Sequence, residues 1–127
     1  MPDTRSPAVG DAGLVALGGA LGSLARWGLS EALPTPIGTL VANTTGCLLI
    51  GILAGWLFVR HPRLRLLLGV GVLGGYTTFS THLLDAHDLL GTRPGWAAAY
   101  VLGTLASCVA LAALGLVVGR RLPGGIT

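Results

Sequence analysis

Charge is scarce in this sequence. Only 10% of its 127 residues are charged, while 52% are hydrophobic and the mean hydropathy is +0.76. A soluble globular domain carries about a quarter of its residues as charges. So little polar surface excludes an ordinary water-soluble fold and marks an integral membrane protein. Lysine is absent: all eight cations are arginines, and Arg60, Arg63, Arg65, Arg120 and Arg121 stand at the edges of apolar stretches. The net charge of +3 therefore reads as topology signal and headgroup contact, and not as a nucleic-acid footprint. Cysteine is limited to Cys47 and Cys108, each well inside an apolar stretch and neither in a CxxC pair. They read as small buried hydrophobes, which excludes a disulfide framework or a thiolate metal site. The first apolar stretch has no acid between Asp11 and Glu31.

What is present is four apolar runs, at 12–33, 37–59, 64–90 and 96–118. Roughly 20 apolar residues cross a bilayer as a helix, so the expected fold is an all-α membrane protein with four transmembrane helices in one domain, 11–122. The joints "LPTP", "RHPR" and "GTRPG" carry helix-ending chemistry. Residues 1–10 are expected to form a disordered tail and 123–127 a short C-terminal one. The first run is glycine-rich, contains Arg26 and precedes three further runs, so it reads as a span and not as a cleaved signal peptide. Four spans put both termini on one side, which holds six arginines; the other side has Arg93 in a loop and Arg26 near a span end. The positive-inside rule then places both termini in the cytoplasm, with the chain in the inner (plasma) membrane.

Polar residues recur inside the spans at helical steps. Gly18, Gly22 and Arg26 share one face of the first span. The glycines suit close helix packing, and Arg26 can snorkel to headgroups or line a watery entrance that attracts anions. Thr39, Asn43 and Cys47 form a stripe on the second span; Tyr100, Thr104 and Cys108 form one on the fourth, beside Ser107. An amide in hydrocarbon needs partners, so Asn43 either ties two helices together or faces a conduit. The third span contains "GGYTTFST", Gly74–Thr81. Paired glycines followed by two threonines weaken a helix, and a break is expected at Gly74–Gly75. Carbonyls freed at membrane depth need a ligand such as a cation, or a second chain over them; an unbroken, glycine-lubricated crossing is the alternative. Asp85, His87 and Asp88 read as a solvated span terminus. Ser80, His82 and Asp85 suggest a hydrolytic triad only superficially, since Ser80 and His82 do not share a helix face, and the chain is not expected to be an enzyme.

"GGALGSLAR" (Gly18–Arg26), "GTLVANTTG" (Gly38–Gly46) and "GGYTTFST", in that order and in a four-span layout, resemble the CrcB/Fluc family of fluoride ion channels. The resemblance implies an antiparallel dimer of oppositely inserted subunits, with two fluoride pores along the interface. It implies a structural sodium ion at the centre, held by the backbone carbonyls of Gly74 and Thr77. By motif position Asn43 and Phe79 face fluoride, the latter through its electropositive ring edge. Tyr100, Thr104 and Cys108 fall on the family's polar track, although a thiol is a weak donor. Thr78, Ser80 and Thr81 support the motif. The family has a second phenylalanine three residues after Phe79, where this chain has His82, a residue that can donate a hydrogen bond or titrate.

The arginine bias departs from a chain that inserts both ways. It leads to the expectation of a heterodimer with a homologue of opposite bias, against a plain homodimer. The rival functions are a proton-coupled exporter resembling the small multidrug resistance proteins and a non-conducting structural subunit. The former needs a carboxylate deep in its first span, which is missing here.

Overall fold

The computed structural model describes the backbone of residues 7–126. Helix α1 spans Pro7–Ala32 and α2 spans Ile37–Trp56. A third helical run starts with α3 (Pro62–Leu64), widens into a π-helical segment (Arg65–Leu73) and closes with α4 (Gly74–Tyr76). After two extended residues α5 covers Phe79–Thr92, and α6 covers Pro94–Arg121. Three of these, over Val9–Ala32, Ile37–Trp56 and Pro94–Arg121, are long and apolar enough to cross a membrane. The expected third span is divided, and α5 has only 14 residues, short of the roughly 20 that a crossing needs. The multi-pass, all-helical architecture follows from these elements; among the described residues there is no strand.

Several expected limits differ. Helix α1 begins at Pro7, inside the stretch expected to be a tail, while residues 1–6 lie outside the described residues. Helix α6 starts at Pro94, whose fixed φ suits the first helical turn. The C-terminal segment folds back on α2: Trp56 Nε1 donates to the Pro123 carbonyl at 3.2 Å, and the Ile126 amide donates to the Gly55 carbonyl at 3.0 Å. Gly124, at φ +84°, makes the turn that allows this return. Thr127 lies outside the described residues.

Burial is the reverse of a soluble protein. The buried set includes Thr39, Asn43, His82, Asp85 and Thr104, while Leu24, Trp27, Leu102 and Val109 stand on the outside. An apolar exterior is what lipid requires, and the polar interior is where satisfied or functional groups belong.

Backbone approach at glycine holds the helices together. Helix α1 packs on the π segment and α4, and α2 packs on α6. A Cβ on Gly18 would strike the Leu67 carbonyl, and one on Gly75 would strike the carbonyl of Gly19. Gly51 and Gly55 of α2 meet the backbone of α6 at Ala112 and Leu116, and Gly115 and Gly119 of α6 meet α2 at Leu48 and Ile52. Gly18 and Gly22 thus pack as their spacing indicates. The α2–α6 pair uses the same four-residue step, at Gly51/Gly55 and Gly115/Gly119.

The break itself falls three residues later than expected. Gly74 is helical, at φ −64° and ψ −36°. Thr77 (ψ 158°) and Thr78 (φ −150°, ψ 126°) are extended. The packing of Gly75 against α1 keeps the glycine pair in a helix. The threonines, stiff at χ1 and able to bond locally through their hydroxyls, leave it.

Candidate functional site

Asn43, on α2, closes the break. Its Nδ2 donates to the Thr78 carbonyl at 2.8 Å, and the Thr78 amide donates to its Oδ1 at 2.7 Å. One carboxamide thus serves both polar groups of one extended residue. The Thr77 hydroxyl donates to the Leu73 carbonyl at 2.9 Å. The Thr78 hydroxyl caps α5 by accepting the Thr81 amide at 3.2 Å, and it donates to Thr81 Oγ1 at 3.0 Å. Ser80 Oγ lies 3.4 Å from the same hydroxyl. Thr45 and Tyr76 join α2 to α4 through their hydroxyls, 3.0 Å apart.

These bonds free carbonyls at the break, as the break itself does for Gly75 and Tyr76. In an unbroken helix each carbonyl receives the amide four residues on. The Thr78 amide, due to Gly74, goes to Asn43, and the Thr81 amide, due to Thr77, goes to the Thr78 hydroxyl. The carbonyls of Gly74 and Thr77 thereby lose their helical donors. Both residues line a cavity of about 170 Å³ with Gly46, Cys47 and Leu73, and a Cβ on Gly74 would meet nothing within 4 Å. Among the described residues no cluster of His, Cys, Asp and Glu could hold a metal.

Arg26 lines a second cavity, of about 260 Å³, with Ser23, Ser30, Thr39, Thr78 and Thr81. With Thr35 also on its wall, a guanidinium and six hydroxyls make it an anion-attracting hollow that ends at the break. Phe79, the first residue of α5, is 64% exposed, and its ring points away from the chain's own interior. His82 is 1% exposed. Its ring centre lies 4.6 Å from that of Tyr100 and 6.4 Å from that of Phe79.

The α2 and α6 stripes face each other, with Thr39 beside Tyr100 and Cys108 beside Cys47. Both cysteines are free. The Tyr100 hydroxyl donates to Asp85 Oδ2 at 3.2 Å. Thr104 is buried, and its hydroxyl has no partner among the described residues. Asp85 therefore does not belong to a solvated terminus, as the sequence suggested: it is 9% exposed, whereas His87 and Asp88 are exposed. The reason is α6, which brings Tyr100 over it. His82 makes no bond to Ser80 or Asp85, since neither ring nitrogen has a partner; no triad forms.

A profile described as "CrcB-like protein, Camphor Resistance (CrcB)" matches residues 13–116. The chain is 40% identical over 115 residues to the fluoride-specific ion channel FluC 2 of Bacillus subtilis, covering 87% of this chain and 88% of that one. It is 42% identical over 121 residues to the fluoride-specific ion channel FluC of a Caulobacter species, covering 86% and 94%. Against the fluoride-specific ion channel FluC 2 of Thermobifida fusca the identity is 48% over 111 residues, covering 77% and 82%.

Proposed function

The chain belongs to the CrcB-like family, and we propose that it is a subunit of a fluoride-specific channel that passively exports fluoride from the cytoplasm. The observation that carries this reading is the interruption at Thr77–Thr78, held open by the Asn43 carboxamide next to an arginine- and hydroxyl-lined hollow. A purely structural span has no use for extended backbone among apolar helices. The relatives' names supply the ion.

On this reading the pore groups are Asn43, Phe79, His82, Tyr100, Thr104 and Cys108, with Arg26 at the vestibule. Asn43 keeps a second amide hydrogen beyond the one given to Thr78, and Phe79 offers a ring edge on an exposed face. A subunit that leaves Phe79 and Gly74 uncovered suits assembly with an oppositely inserted copy or homologue. The carbonyls of Gly74 and Thr77 are the proposed ligands of a structural sodium ion between the two subunits. Such an ion would supply fixed positive charge there; the protein's part is to present carbonyls freed from helical bonding.

Transport needs no energy source. Hydrogen fluoride enters as a neutral acid and dissociates inside, and a negative-inside potential drives the anion out with roughly 2.3 kcal/mol per charge per 100 mV. The arginine asymmetry favours a heterodimer, with both termini of this chain cytoplasmic in the inner membrane, and the numbers carried by relatives named FluC 1 and FluC 2 are consistent with paired subunits. The test is fluoride efflux from liposomes, with chloride as control. Efflux is expected from the chain with its homologous partner and only weakly from the chain alone. Robust solo efflux removes the heterodimer, and no efflux from either preparation removes the channel.

A further inference from the structure

The Tyr100 hydroxyl, a donor on the proposed polar track, is already engaged with Asp85. Against its ring lies a donor with nothing to bind. His82 is the largest fully buried side chain among the described residues, and neither Nδ1 nor Nε2 has a partner. A neutral imidazole carries one N–H and one lone pair, and a buried polar group left unpaired costs about 1–3 kcal/mol. A phenylalanine would fill the same space without that cost. One turn beyond Tyr100 on α6, the Thr104 hydroxyl is likewise buried and unpaired.

Resting on the channel reading, we propose that His82, and not Tyr100, is the hydrogen-bond donor to the anion at this level of the pore, and that the Tyr100–Asp85 bond is the brace that holds it there. The brace has two effects. It fixes the Tyr100 ring, on which the imidazole lies at 4.6 Å and 47°. It also engages Asp85, one helical turn from His82, so that the carboxylate faces the Tyr100 hydroxyl and makes no bond to the imidazole. Helix α2, the other element against α5, brings Asn43, which is uncharged.

The surroundings select the guest. At 1% exposure no water competes for the imidazole, so a hydrogen bond there is stronger than in water. Only an ion that has shed its hydration shell fits, and fluoride is the smallest halide and the strongest acceptor among them. A cavity of about 540 Å³ leads inward past Arg93 and Trp96 to Tyr100 and Thr104. His82 lies against the Tyr100 ring at the inner end of that cavity without lining it.

The test uses the native assembly in nanodiscs with ¹⁵N-labelled imidazoles, titrated with sodium fluoride against sodium chloride at fixed pH and ionic strength. One ring resonance, absent in His82→Phe, should shift saturably with fluoride and not with chloride. In Tyr100→Phe, which keeps the ring and loses the brace, the shift should persist but saturate only at a higher fluoride concentration. In vesicles, His82→Phe should raise the fluoride concentration for half-maximal flux at least fivefold, and His82→Gln, which keeps an N–H donor, should restore it to within about twofold of the natural chain. Flux with no fluoride-dependent imidazole shift, or an equal shift with chloride, overturns the assignment and leaves the channel intact. Absence of both flux and shift overturns the channel reading with it.

Discussion

Asn43 grips Thr78 by both ends of its peptide, giving its Nδ2 hydrogen to the carbonyl at 2.8 Å and taking the amide hydrogen on Oδ1 at 2.7 Å. The grip spans 35 residues of sequence and ties α2 to the interrupted third run. It replaces the helical bond that the Thr78 amide forgoes. By taking the Thr78 amide it also frees the Gly74 carbonyl of its usual donor, while the Thr78 hydroxyl does the same for Thr77 by taking the Thr81 amide.

Removing that grip exposes its worth. Asn43→Ala leaves the partly buried Thr78 amide unpaired, at about 1–3 kcal/mol. The expected outcome is a clear fall in thermal unfolding temperature in detergent, with fluoride flux lost. An unchanged melt would mean that water or a neighbour satisfies Thr78 without it.

Phe79 makes the opposite case. Its ring is 64% exposed in the single chain, so Phe79→Ala should leave the unfolding free energy of the subunit within about 0.5 kcal/mol. Flux in vesicles should nevertheless fall at least tenfold. Equal flux would assign the ring to lipid contact.

The glycine contacts separate packing from propensity. Gly51→Ala drives a methyl into the Ala112 carbonyl and to 2.9 Å from the Leu116 amide, and should destabilise by about 1–3 kcal/mol. Gly28→Ala meets nothing within 4 Å and should stabilise α1 by roughly 0.5–1 kcal/mol. Denaturant unfolding of the two variants in the same detergent provides the comparison.

If a sodium ion joins the freed carbonyls of Gly74 and Thr77, binding to the folded assembly adds stability as RT ln(1 + [L]/Kd). Replacing sodium with N-methyl-D-glucamine should lower the melting temperature of the reconstituted protein progressively, and sodium should restore it. A melt indifferent to sodium would leave those oxygens to a covering chain.

Much of this was legible because it depends on local pattern. The scarcity of charge, the four apolar runs and the four-residue steps of Gly18/Gly22, Thr39/Asn43/Cys47 and Tyr100/Thr104/Cys108 are one-dimensional signals with direct physical meaning. The weakness of the third run was visible too, but not its location. Gly74–Gly75 and Thr77–Thr78 both disfavour a helix, and only the press of α1 on Gly75 decides between them. The π-helical stretch Arg65–Leu73 has no sequence signature of its own. Asp85 looked like an end-of-helix solvent group because its partner, Tyr100, comes from another helix.

By itself, then, the sequence settled where the chain can meet lipid and which polar groups it must shelter, since transfer of side chains into hydrocarbon is additive and local. The tertiary structure alone decided which amide each carbonyl keeps, because hydrogen bonds are directional and depend on what a neighbouring helix brings within 3 Å. That is why the break moved to Thr77–Thr78, why Asp85 is buried beneath Tyr100, and why His82 remains without a partner.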